Sequence, residues 1–293
     1  MNIAKIRTRA KQFRALTSLD VEEFDELLSI FESEWEDWIS RFTLSGKPRT
    51  RKYSPKSQDG LNSAEEKLFF ILSYQKTATL QEFHSASFGL EQDMGNKWVH
   101  ILSPLLERAT RRWHPSQGNY TLSHGQDCSL DGTESPIERP MYEQQDAYSG
   151  KKKAHTYKHL LLVALTGAIL WLSPCAYGKM HDKKMADLYL RELPAMCRLH
   201  LDLGFQGYSP KNAQIEMPEK KPRKKELTKI QKTKNRQKAR QRVFVEHAIG
   251  HLKTMRIVKD KNRNKKLGYR ELVFRTAVQL HNFRCAKRRT ILL

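Results

Sequence analysis

Near residue 120 the apolar residues of this chain change their spacing, and that change constrains the fold more than any other feature. Before it, they recur every three or four positions, as on the buried stripe of a helix. Asp20 with Glu23 forms a capping box ahead of a stripe of Val21, Phe24, Leu27, Leu28, Phe31, Trp35, Trp38 and Ile39. The basic, proline-punctuated segment 47–56 has no periodicity and reads as a loop. Ser63 with Glu66 and Thr79 with Glu82 cap two further helices, the second ending at Phe88-Gly89. A third helix from Glu91 buries Met94, Trp98, Ile101 and Leu102 and turns Gln92, Asn96, Lys97 and His100 outward. Pro104 is expected to break it and to start another. A short helix, a glycine turn and a helix with polar amides on its free face fit a helix-turn-helix over about 63–108; a plain three-helix cluster fits the spacing equally.

After the linker at 114–119 the runs become β-compatible. Gln126 to Leu130 leads into Asp131-Gly132. Lys153 to Leu165 and Ile169 to Leu172 are joined by a hairpin-like break at Thr166-Gly167. His181 to Leu193 reads as a helix stopped by Pro194, and Cys197 to Leu203 as a strand that delivers Asp202 at its end. The segment 220–242 carries twelve Lys or Arg against Glu226 alone, part connection and part first turns of a helix bearing Glu246. A last helix starts near Tyr269. The expected organisation is an all-α domain over 1–115, then an α/β domain over 120–293 containing the basic connection 218–240 and the C-terminal helix.

Composition narrows the partners. Lys and Arg number 53 against 32 acids, for a net charge of +21. A surplus of this size points to a polyanion, and nucleic acid is the commonest. The four cysteines include no Cys-x-x-Cys pair, so neither a disulfide framework nor a zinc site is expected. The start shows no apolar signal region. The most apolar run, 160–172, is 13 residues, short of the roughly 18–20 of a membrane span. A soluble protein is expected.

Asp131, Asp202 and Glu246 are the acids that local structure would hold in fixed directions: two at strand ends, one on a late helix. Such carboxylates suit hard divalent ions, and two ions flanking one phosphate can activate the attacking oxygen and stabilise the leaving one. With 32 acids in the chain, some such ordering is guaranteed, so context discriminates. Arg242, four residues before Glu246, and Lys253, seven after it, lie close to one helix face, which suits a phosphate backbone better than a core. His124, His155, His159 and His247 fall near these blocks and read as packing or phosphate contacts.

From about Phe13 onward the chain resembles bacterial insertion-sequence transposases of the DDE superfamily endonuclease type, related to the PIF/Harbinger group. LDGTESPIERP followed by YSGKKKAHTYKHLLLV is similar to that family's first-Asp block, LHLDLGFQG to its second, and RVFVEHAIGHLK to its Glu block. Residues 67–106 are similar to the helix-turn-helix that precedes the family's catalytic domain. The resemblance implies a ribonuclease H-like core, a mixed sheet flanked by helices. It also implies cut-and-paste transposition of double-stranded DNA at terminal inverted repeats into target DNA, with assembly as a homodimer or higher on DNA. Asp131, Asp202 and Glu246 are then the catalytic acids, holding two Mg2+ with Mn2+ as substitute. The DNA contacts expected are Gln92, Asn96, Lys97, His100, Lys151, Lys152, Lys153, Arg242 and Lys253. Relatives often carry Tyr three residues before that Arg; here Ala239 stands there, which puts any DNA-end contact of that Tyr in doubt. The setting implied is the bacterial cytoplasm, at the nucleoid. A transposase-derived DNA-binding protein and a structure-selective nuclease on the same fold are the alternatives.

Overall fold

The computed structural model describes residues 1–54, 60–116, 122–222, 226–266 and 268–290. It divides into two compact units. The first opens with α1 (Ile3–Arg7), α2 (Ala10–Thr17), α3 (Val21–Arg41), α4 (Ala64–Thr77), α5 (Gln81–Ser87) and α6 (Gln92–Ala109). Both expected capping boxes form, Asp20/Glu23 on α3 and Ser63/Glu66 on α4. The third expected cap does not: Leu80 stands at the N-cap of α5, with no side-chain bond. Gly89, at φ +71° in the turn after α5, adopts the left-handed backbone expected of it. Helix α6 runs unbroken through Pro104, against expectation. Trp98, Val99 and Leu102 before the proline and Leu105, Leu106 and Ala109 after it are all buried. Packing on both sides outweighs the one missing N–H. Phe13, Phe24, Phe69 and Trp98 are fully buried in this unit.

The second unit holds β1 (Asp127–Pro136), α7 (Gln144–Ala147), β2 (Tyr148–Ser149), β3 (Ala154–Ala164), β4 (Ile169–Leu172), β5 (Ala176–Tyr177), α8 (Asp182–Tyr189), β6 (Glu192–His200), β7 (Lys211–Glu216) and α9 (Lys229–Leu252). The main sheet order is β2-β3-β1-β6-β7, with β4 and β5 also on β3. Strand β1 is antiparallel to β3 and parallel to β6, and β6 is parallel to β7. Gly167, φ +81°, turns the β3–β4 hairpin. Cys128, Leu130, Leu160, Leu162, Met185, Cys197, Leu199 and Phe205 form one apolar core. All four cysteines are free thiols.

Three expectations change here. Helix α8 ends at Tyr189, and Leu193, fully buried, belongs to β6, which continues through Pro194. The β6–β7 register shifts between Glu192 and Cys197, which leaves room in the ladder for a residue without N–H. Strand β7 was not foreseen. Most of the basic segment is helix: Thr228 and Gln231 form a capping box, and α9 runs 24 residues. Asn235 exchanges hydrogen bonds with the Glu219 backbone, and Lys238 pairs with Glu216 at 3.0 Å. Residues 223–225 lie outside the described residues.

The chain then returns to the first unit through α10 (Arg256–Lys259) and α11 (Tyr269–Thr290). The last helix was expected in the α/β domain. It packs with the helical unit instead. Buried Glu107 of α6 pairs with Arg275 at 3.0 Å and accepts from Gln279, and Thr110 donates to Gln279 at 2.6 Å. Among the described residues no helix is long and apolar enough to cross a membrane.

Candidate active site

Side chains alternate across a strand, and in β1 this alternation places the first acid. Ser129 is buried and its hydroxyl donates to the Gln241 carbonyl of α9 at 3.1 Å. Asp131, two residues on, therefore faces the same helix. Its carboxylate accepts from the Gly132 N–H at 2.7 Å. Asp202 follows β6, the parallel neighbour of β1, and its carboxylate accepts from the Gly204 N–H at 2.8 Å. Asp202 follows the end of β6, as expected, but Asp131 lies inside β1, which runs on to Pro136. Each is two residues past the last β1–β6 pair, Ser129 with His200, so the two stand level on adjacent parallel strands, each fixed by a backbone amide one or two residues later.

Between them stands Arg242. Its Nη2 lies 4.0 Å from Asp131 Oδ2 and 3.9 Å from Asp202 Oδ2. Burial raises the Asp131 carboxyl to about 6; the Gly132 amide and Arg242 pull it down, and Asp202 and Asp182 push it up. Glu246 is exposed on α9, one turn beyond Arg242. The structure therefore brings Asp131 and Asp202 together at one cation and leaves Glu246 outside. Among the described residues no group of three His, Cys, Asp or Glu side chains is gathered as a ligand set. The two aspartates nevertheless suit a hard divalent ion: both are oxygen donors, and both already face one positive charge.

The opposite face of the sheet holds a network that no local signal announced. Glu134 and Lys158 are direct cross-strand partners of β1 and β3. Lys158 Nζ lies 2.9 Å from Asp182 Oδ1 and 3.6 Å from Glu134 Oε1, and donates to the Met180 carbonyl at 2.9 Å. Thr156 donates to Glu134 at 2.7 Å. The Asp182 carboxylate lies against Gly132: a Cβ built there would be 2.9 Å from Oδ1. Any larger residue after Asp131 would force the Asp182 carboxylate to shift.

The remaining site residues fall in different places. Lys151, Lys152 and Lys153 are exposed on the turn between β2 and β3, Lys153 at φ +50°. Lys253 is the half-buried C-cap of α9. Arg242 points at the acids instead of lying open for a phosphate. In the helical unit Gln92 is exposed and Lys97 half-buried. The Asn96 amide donates to Gln81 at 2.8 Å, and the His100 ring meets Tyr269 edge-on. Lys97 and His100 border a cleft of about 360 Å³ with Trp38, Pro104 and Lys266. Of the histidines, His159 is buried and held neutral, lowered to about 3 by burial, and His155 packs on Tyr148. His124 and His247 are exposed.

Residues 130–282 match the family described as DDE superfamily endonuclease. The chain is 35% identical over 211 residues to a probable transposase for insertion sequence element IS702 from Microchaete diplosiphon, covering 70% of this chain and 76% of that protein. No solved structure matches it. The mixed sheet flanked by helices fits the ribonuclease H-like core of such enzymes. With Asp131 and Asp202 set side by side inside the matched region, the chain belongs to the DDE superfamily endonucleases and is an enzyme of the nuclease and transposase class.

Proposed function

We propose that this protein is a DNA transposase that binds the terminal inverted repeats of its element, cleaves at the ends and joins the 3′-hydroxyls to target DNA. The observation that carries the reading is the convergence of Asp131, within β1, and Asp202, just after β6, on one cation. Asp131, Asp202 and Glu246 would hold two Mg2+, or Mn2+ in its place. Bound there, the ions supply activation of the attacking oxygen and charge stabilisation at the leaving 3′-oxygen. The protein's own part is orientation. The amides of Gly132 and Gly204 hold the two carboxylates in place, and Glu246 stands exposed on the substrate side of α9.

DNA binding is assigned to two surfaces. Helices α5 and α6, joined by a four-residue turn, are read as a helix-turn-helix. Support comes from the glycine turn and from Gly95, whose added Cβ would fall 1.8 Å from Ser85 Oγ, so the helices cross closely. Gln92 and Lys97 are its foremost contacts, since Asn96 and His100 already have partners within the protein. The second surface is the exposed lysine turn 151–153 and the cationic first half of α9. Pairing two ends calls for a homodimer or larger assembly, and the substrate locates the work at the bacterial nucleoid.

The test is cleavage of a labelled duplex carrying the element's native end, in Mg2+, Mn2+ or EDTA, beside Asp202→Ala. Metal-dependent cutting at the end, lost in the variant with end binding retained, is expected. Binding without cutting, on single and paired ends alike, would instead indicate a DNA-binding protein. Cutting that ignores the inverted repeat would indicate a structure-selective nuclease.

A further inference from the structure

We propose that Arg242 is the resident counterion of Asp131 and Asp202 in the metal-free protein, and that a divalent cation takes its place there. This rests on the reading of the two aspartates as metal ligands. Arginine normally grips one carboxylate through two short parallel bonds. Here a single nitrogen faces two acids at 4.0 and 3.9 Å, too far for either hydrogen bond. Its side chain is only 18% exposed, and among the described residues its Nε is buried without a hydrogen-bond partner. Such a placement is unfavourable for a guanidinium by itself. Two uncompensated carboxylates account for it.

A guanidinium cannot neutralise itself by losing a proton, so a metal ion entering this space must move it bodily. The helix is not what moves. Gln241 is tied to Ser129 at 3.1 Å, and Val245, Ala248 and Leu252 are buried against the sheet. The long side chain can swing on a fixed backbone. Glu246, on the next turn of the same face and exposed, can then turn in. Entry of the first ion conserves charge. Two aspartates with Arg242 carry one net negative charge, and so do two aspartates, Glu246 and one divalent ion. Once displaced, Arg242 is turned to the solvent side of α9, where a DNA phosphate would meet it.

Wild type, Arg242→Gln and Arg242→Gln combined with Asp202→Asn are compared by thermal unfolding in EDTA and by calorimetric titration with Mn2+. Arg242→Gln is expected to unfold at lower temperature in EDTA, and the added Asp202→Asn to restore the loss. Arg242→Gln is expected to bind Mn2+ at least about fivefold more tightly, the lower end of typical coupling free energies within a protein. Equal or weaker binding overturns the displacement and leaves the metal reading standing. No Mn2+ binding by either wild type or Arg242→Gln removes the metal reading, and this inference with it. If Arg242→Gln does not fold, proton exchange at Arg242 Nε in the wild type decides. It should quicken on adding Mg2+, and unchanged exchange at saturating Mg2+ overturns the proposal.

Discussion

Replacing Lys158 with Met is expected to destabilise the mixed unit by about 3 kcal/mol. Lys158 is 9% exposed at its side chain and stands between Asp182 at 2.9 Å and Glu134, itself 7% exposed, at 3.6 Å. Methionine has nearly the same volume, so the loss is electrostatic, with little from packing. Removing one partner of a buried pair costs about 3–5 kcal/mol, because the other charge is left buried and unpaired. The lower end applies here. Glu134 keeps its bond from Thr156, and Asp182, 26% exposed, can turn to water. At roughly 2–4 °C per kcal/mol the midpoint falls by about 6–12 °C. Urea unfolding followed by tryptophan fluorescence, with the slope unchanged, measures it. Adding Glu134→Gln should recover most of the loss, since the stranded charge is then gone. A single-variant loss under about 1 kcal/mol, or no recovery in the double variant, would refute the view that Lys158 compensates Glu134.

Gly132→Ala places a Cβ 2.9 Å from Asp182 Oδ1 and 3.1 Å from its Cγ, and should cost about 1–3 kcal/mol, as overpacking does; Asp182→Ala in the same chain should relieve it, and persistent loss would indicate backbone strain instead. Burial raises the Asp131 carboxyl to about 6, above the roughly 3.9 of an unfolded Asp, so its contribution to stability is greatest below about pH 4 and falls as pH rises through 6. In EDTA, Asp131→Asn should therefore unfold at higher temperature than wild type above pH 6 and lose that advantage by pH 4; a pH-independent difference contradicts it. Neutralising Lys229, Lys234, Arg236 and Arg240, all exposed on α9, should reduce the log–log salt slope of DNA binding by up to about 3–4; an unchanged slope removes this strip from the interface.

What was legible in the chain was whatever is decided within a few residues. The Asp20/Glu23 and Ser63/Glu66 boxes, the glycine turns at 89 and 167 and Asp202 just past its strand all depend on local chemistry and appear where expected. Asp131, by contrast, lies inside β1, which antiparallel pairing with β3 carries on to Pro136. Pro104 and Leu193 misled because burial on both sides of a proline, or in a strand core, outweighs a local breaker. Strand β7, with the sequence KNAQIE, is polar and only partly buried, and it is held by parallel pairing to β6, which no neighbouring residue records. The last helix carries its apolar stripe openly, yet nothing in that stripe says which unit it will pack on.

The candidate site divides the same way. Which acids to examine could be read from the sequence. That β1 and β6 are adjacent and parallel, so that Asp131 and Asp202 share one space, is a property of sheet order. The direction of Arg242 depends on the phase of α9 against Ser129, a contact 112 residues apart. A Ser129→Ala variant isolates that dependence. It removes the hydroxyl that meets Gln241 while leaving β1 intact, at a cost of about 1 kcal/mol for one neutral hydrogen bond. If the phase of α9 is set by this bond, Arg242 loses its position between the aspartates, and Asp131 should titrate higher than in wild type when followed by carboxyl NMR in EDTA. If Asp131 titrates unchanged, the buried residues Val245, Ala248 and Leu252 are sufficient to hold the helix in phase.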